Sequence, residues 1–177
     1  MNNDVGKVGA QRPLPHSSNL RLHRFSDAPA TFFVTKSLQP KKPLLDADRR
    51  QVIVSAFAYA LARERIYLRA FVVMPDHWHG LFALRDPWTL PKFMHAFMSH
   101  VAAKTSTYLR TRAVVWQDSY YETRVVTARQ FRYVAYYIEQ NPVKKGLVEN
   151  AADWEVSSAA RKDLVTEPWP WLFEKEK

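Results

Sequence analysis

Two groups of residues in this 177-residue chain carry more chemistry than packing alone requires. The first is His77 and His79, two residues apart in the run VVMPDHWHGLFAL. Side chains alternate along a strand, so both imidazoles fall on one face and Trp78 on the other. Two imidazoles held side by side on a stiff strand are half of a metal site. The second group is Tyr133, Tyr137 and Asn141, spaced by four. They line one face of a helix if that helix persists to its last turn, while Tyr136 is turned about 100° away from Tyr137. A phenol with a reference pKa near ~10 is a poor nucleophile at neutral pH. A divalent cation can favour phenolate and polarise the electrophile, and Asn141 could donate an amide oxygen to it. Phosphodiester transfer asks for this set: an in-line attacker, a cation on the phosphate oxygens, and basic residues along the flanking backbone.

These groups need elements to hold them. Residues 30–37, ATFFVTKS, are β-branched and aromatic and predict a first strand, broken by Gln39-Pro40-Lys41-Lys42-Pro43. Asp46 caps a helix to about Arg65, with Val52, Ala56, Phe57, Ala60 and Leu61 as its buried stripe and Arg49, Arg50, Arg63 and Arg65 on its wet side. Ile66 to Val73 is a second strand. Pro75-Asp76 turns it back antiparallel into a third, His77 to Leu84. Trp78, Phe82 and Leu84 on one face, with Leu81 and Ala83 beside the histidines on the other, make that strand central. Asp76 has two possible roles, orienting a histidine or capping the turn, and the turn is favoured.

Thr89 caps a second helix, about Leu90 to Leu109, packed through Leu90, Phe93, Met94, Phe97, Met98 and Val101. A fourth strand falls in the later part of Val114 to Val126. Thr127 caps a third helix over 128–140, with Phe131, Val134, Ala135 and Ile138 buried and Pro142 limiting its end. Four strands with intervening helices imply an α+β sandwich, one antiparallel sheet packed with helices. Residues 1–28 read as a flexible basic arm, in which Arg21, His23 and Arg24 could touch a phosphate backbone. Residues 151–177, with Trp154, Trp169 and Trp171, read as an irregular tail packed on or near the domain over 29–150.

The absence of cysteine excludes disulfides, thiolate zinc sites and thiol nucleophiles, and fits a cytoplasmic protein. The polar N-terminal residues lack the apolar stretch of a secretory signal, and no run is long enough to span a bilayer, so no membrane partner is expected. A formal charge of +9 and a pI of about 9.9 suit a polyanion, or a generally basic surface.

At the histidine pair, and in VWQDSYYETRVV and YIEQNPVKKGLV, the sequence resembles the REP-associated tyrosine transposases, single-tyrosine HUH transposases of the insertion-sequence 200-like superfamily. The resemblance spans about residues 20 to 160. It implies the HUH endonuclease fold, a ferredoxin/RRM-like sandwich. It implies that His77, His79 and Asn141 bind magnesium or manganese and that Tyr137 is the nucleophile, with Tyr136 as the fallback. The substrate implied is single-stranded DNA at the foot of a palindromic hairpin, cut through a 5′-phosphotyrosine that leaves a free 3′-hydroxyl able to rejoin strands. Lys41, Lys42, Lys104, Lys144 and Lys145 are the candidates for the DNA-facing surface. The resemblance favours a monomer acting in cis, with a site-sharing dimer as the alternative, and places the protein at the nucleoid. Two rival classes are a domesticated hairpin-binding protein that does not cut, and a zinc-holding protein with no nucleic acid partner.

Overall fold

The computed structural model describes residues 30–109 and 114–167. The N-terminal arm with Arg21, His23 and Arg24, and Trp169 and Trp171 of the tail, lie outside the described residues. The elements are β1 (Thr31–Ser37), α1 (Ala47–Ala62), β2 (Ile66–Val73), β3 (His77–Leu84), α2 (Leu90–Leu109), β4 (Tyr121–Val125), α3 (Ala128–Glu139) and the one-turn α4 (Asn141–Lys144). The four strands form one antiparallel sheet in the order β2-β3-β1-β4. This is the expected α+β sandwich, with β3 central.

The alternation on β3 divides the protein into two layers. Trp78, Phe82 and Leu84 share a core with Phe57 and Ala60 of α1 and Phe93, Phe97 and Val101 of α2. Trp78 is fully buried, its ring edge-on to Phe57 at 5.5 Å and tilted on Phe97 at 5.2 Å. Gly80 sits under Phe57: a Cβ there would meet the ring at 3.3 Å, so the helix lies this close because the strand carries no side chain at that point. On the other face Leu81 and Ala83 join Ala70 and Val72 of β2 and the stripe Phe131, Ala135 and Ile138 of α3 in a second, smaller core.

The helix signals behave as the sequence indicates. Asp46 accepts from the Arg49 amide at 2.8 Å. Thr127 and Gln130 form a reciprocal capping box at the start of α3. Three details differ. The buried face of α1 is wider than its stripe, taking in Ile53 and Val54 while Leu61 is only half-buried, because α1 is packed by the sheet on one side and α2 on another. Arg50 and Arg65 are not simply on a wet side: Arg50 lies over the Trp154 ring at 5.0 Å, and Arg65 over Trp88 at 4.6 Å. Val134 is likewise half-buried at the margin of its stripe.

Residues 151–167 run along the outer edge of β2. The Val73 amide donates to the Val156 carbonyl at 2.9 Å, Ser158 donates to Phe71 at 2.8 Å, and Thr166 donates to Leu68 at 2.7 Å. An edge strand presents unpaired backbone groups, and these bonds satisfy part of that edge. Glu139, at the end of α3, accepts from Ser158 at 3.2 Å and meets Lys162 at 3.1 Å and Arg69 at 3.4 Å. Arg69 lies at a register shift in β2, so one carboxylate ties α3, the sheet edge and the C-terminal segment together. Among the described residues no helix is long and apolar enough to cross a membrane.

Candidate active site and metal centre

Register places the histidines. Across the β1–β3 ladder Ser37 pairs with His77, and Thr35 with His79. The Thr35 hydroxyl lies 2.8 Å from His79 Nδ1, and Asp76 Oδ1 lies 2.7 Å from His77 Nδ1. With both Nδ1 atoms engaged, the two Nε2 atoms turn toward each other and stand 3.1 Å apart. Two donors at bonds of about 2.1 Å and a right-angled octahedral position are separated by about 3 Å, so the pair has the bite such a cation requires. Asp76 therefore orients His77 rather than capping the turn with its side chain. Its proximity in sequence is what allows this: the carboxylate needs to reach back only one residue.

His79 is buried, and burial, reinforced by the His77 charge and opposed by Asp76, lowers its pKa to about 3. It is neutral at physiological pH, as a ligand imidazole must be. Among the described residues no cluster of three or more His, Cys, Asp and Glu side chains could hold a metal, so a further donor from those residues would be of another type. Asn141 supplies a candidate. It is 4% exposed, and its amide oxygen is buried with no hydrogen-bond partner among the described residues. Two imidazole nitrogens and an amide oxygen are a donor set that fits a divalent cation.

The expected single helical face through Tyr133, Tyr137 and Asn141 is graded instead. Tyr133 is 68% exposed, Tyr137 half-buried and Asn141 buried. The reason lies in the helix end. α3 stops at Glu139, Gln140 caps it, and Pro142 sits in the first turn of a new helix, α4. Proline is tolerated there because its missing N–H is one of the unpaired donors of a first turn. Tyr137 is delivered to the histidines: its ring centroid is 5.5 Å from that of His79 and 6.1 Å from that of Phe33, edge-on to the latter. Lys144 of α4 holds its ammonium 5.2 Å above the Tyr137 ring and 6.0 Å from Tyr136. Tyr136 is 60% exposed and has no such contact with a histidine among the described ring pairs.

The lysines separate into two groups. Lys41 and Lys42 are exposed in a loop tied to the turn before His77 by Leu38 N to Asp76 O at 2.8 Å and Leu45 N to Pro75 O at 2.7 Å. Lys144 stands beside Tyr137, and Lys145 follows it, exposed. Lys104 lies elsewhere, lining a groove between α1 and α2 with Tyr59 and His100, on the opposite layer of the sheet. Sequence reasoning did not single out Thr35, Phe33 or Lys36. Alternation on β1 puts Phe33 and Thr35 on one face, but only the register shows which face and which histidine. Lys36 faces the opposite way. Its buried ammonium donates to the carbonyls of Gln117 and Ser119, and burial lowers its pKa despite the nearby Asp118.

Comparison with known proteins identifies the family. Residues 33–141 match the model of the family described as Transposase IS200 like, a span that includes both histidines, Tyr137 and Asn141. The chain belongs to the IS200-like transposase family. Over 133 residues it is 28% identical to the REP-associated tyrosine transposase of Escherichia coli strain K12, covering 74% of this chain and 77% of that one. The fold is that of a solved REP-associated tyrosine transposase bound to a REP hairpin, with a TM-score of 0.63, 22% identity and coverage of 79% of this chain and 85% of the other. Membership in an IS200-like family sets the site in the context of DNA transposition.

Proposed function

We propose that this IS200-like protein is a metal-dependent nuclease and strand transferase that acts on single-stranded DNA at the foot of a palindromic hairpin. The observation that carries the reading is the convergence of His77 Nε2 and His79 Nε2 at 3.1 Å with the Tyr137 ring packed 5.5 Å from His79. The relative whose structure was solved with a REP hairpin supports the choice of substrate.

In the proposed reaction the Tyr137 oxygen attacks the phosphorus in line, the bond from phosphorus to the 3′-oxygen breaks, and the phenolic proton is lost while the leaving 3′-oxygen takes one up. The products are a 5′-phosphotyrosine and a free 3′-hydroxyl. Attack of a 3′-hydroxyl on the phosphotyrosine reverses the step and joins strands without ATP, since one phosphodiester replaces another. His77, His79 and Asn141 would hold magnesium or manganese, which supplies charge to a phosphate oxygen. Asp76 and Thr35 hold the imidazoles in place, and the Lys144 ammonium beside the Tyr137 ring meets the negative charge of the incoming phosphate. Lys41, Lys42 and Lys145 are the proposed contacts to the flanking backbone. The chain is proposed to act as a monomer.

The test is a labelled hairpin oligonucleotide incubated with manganese and resolved on a denaturing gel. A covalent adduct is expected from the native protein, none from Tyr137→Phe, and cleavage is lost in His77→Ala. Hairpin binding with no adduct under any metal would instead identify a protein that grips hairpins without cutting, and absence of binding would remove DNA from the account.

A further inference from the structure

The face of the sheet that carries the histidines is covered unevenly. Over β2 and β3 it is sealed by α3, where Ala70, Val72, Leu81 and Ala83 are fully buried. At the Tyr121 end of β4 it opens, Tyr121 being 48% exposed, while Val125 at the other end is buried with Phe131. Register puts Tyr121 opposite Thr35, which is itself opposite His79, so the three residues form one row across β3, β1 and β4. Two strand spacings, about 10 Å, separate its ends.

The rings along this open strip are ordered. Phe33 is the hub, with its centroid 5.3 Å from His79, 6.1 Å from Tyr137 and 6.4 Å from Tyr121, the last two edge-on. Tyr121 is steadied by Thr123, whose hydroxyl donates to the Tyr121 oxygen at 2.9 Å. The residues on this face of β1 and β4 are Thr31, Phe33, Thr35 and Ser37, then Tyr121, Thr123 and Val125, with no carboxylate among them. Glu122 belongs to the other face, where it pairs with Val34 in register and hydrogen-bonds Tyr120. The Lys144 ammonium stands at the Tyr137 side of the strip.

From this we infer that Phe33 and Tyr121 form a stacking platform for an unpaired nucleobase next to the phosphate that Tyr137 attacks. The inference rests on the proposed nuclease reading and adds a subsite to it. An exposed, hydrogen-bonded phenol offers a base a flat apolar surface at little entropic cost, and stacking tolerates any base because each has a π-face. The β1 and β4 positions of the strip carry no carboxylate, and with the adjacent lysine this suits a polyanion rather than an acidic or aliphatic peptide. A base on the platform holds its own phosphate over the row that ends at His79, so the platform requires single-stranded DNA at the point of attack. A paired base cannot lie flat on the sheet.

The experiment uses the full chain carrying Tyr137→Phe, so that DNA is bound and not cut. The probes are hairpins with a single-stranded extension in which 2-aminopurine replaces one extension base at a time, and the same hairpin without an extension. Quenching of 2-aminopurine at one position beside the stem foot is expected. Tyr121→Ala should abolish it and weaken the extended hairpin about 10- to 100-fold, while leaving affinity for the blunt hairpin unchanged. Tyr121→Phe should keep both quenching and affinity, and Phe33→Leu should reduce them. Equal quenching and affinity in Tyr121→Ala would overturn the platform while leaving the nuclease reading intact. A phenylalanine variant as weak as the alanine variant would overturn it too, by assigning the effect to the hydroxyl. A native dimer that dissociates in Tyr121→Ala would assign the face to a second copy of the chain. No affinity for either hairpin would overturn the platform and the proposed function together.

Discussion

The two faces of β3 belong to one strand, eight residues long, and are built for opposite ends. The face with Trp78, Phe82 and Leu84 is closed by two helices, and its side chains are interlocked rings. Even the ammonium that points into that layer, Lys36, is enclosed by backbone carbonyls. Among the described residues the face with His77 and His79 is covered mainly by α3, with Trp154 at its margin, and there imidazole meets imidazole at short range with a phenol beside them, while α4 carries a buried amide oxygen that has no partner among those residues. One face spends its area on stability, and the stiffness this gives the strand is what allows the other to hold two ring nitrogens at 3.1 Å.

If the faces divide the labour in this way, substitutions on each should separate cleanly. The largest effect is expected at Tyr137. Replacing it by phenylalanine should lower covalent adduct formation by more than about 10³-fold while thermal unfolding stays that of the native protein. A large drop in melting temperature would show that Tyr137 serves packing instead. Trp78→Ala should cost about 3–5 kcal/mol in denaturant unfolding, since it empties a buried ring site. At temperatures where the variant remains folded its manganese affinity should match the native protein's, and a loss of both would mean that the two faces are not independent.

A smaller effect sharpens the histidine side. Asp76→Asn keeps the shape but weakens the acceptor on His77 Nδ1, and should reduce manganese affinity about 10- to 100-fold in calorimetric titration with little change in stability. Unchanged affinity would return Asp76 to a turn residue. The least effect is expected at Glu139, which ties the end of α3 to the sheet edge and the C-terminal segment. Glu139→Gln loses contacts to Arg69 and Lys162 that are partly exposed and screened, so stability should fall by about 1 kcal/mol. The change should appear as faster amide exchange at Val73 and Ser158, whose bonds join the C-terminal segment to β2. If exchange there is unaltered, the carboxylate does not hold that segment.

Period and punctuation made most of the scaffold legible. The alternation of β3, the caps Asp46 and Thr127, and the apolar stripe of α3 each act within a few residues, so local sequence carries them. The same is true of the histidine pair, because strand geometry alone puts alternate residues on one side. What was not legible depended on partners distant in sequence. Lys104 lies on a long amphipathic helix, and nothing local tells which layer of the sheet that helix covers. Tyr133, Tyr137 and Asn141 have one spacing but three degrees of burial, because the helix ends at Glu139 and a second one starts at once.

The sequence by itself determined that an apolar strand would present two imidazoles together, and that a tyrosine with an asparagine four residues later would follow on a capped helix. Only the tertiary structure decided what surrounds them. Thr35 reaches His79 because β1, more than forty residues earlier, pairs with β3 in one register, and a slip of one residue would turn every β1 side chain to the other layer. Phe33 and Tyr121 come beside the site through that ladder and the next. Contacts of this kind are set by hydrogen bonding between strands far apart in the chain, for which spacing along the sequence carries no signal.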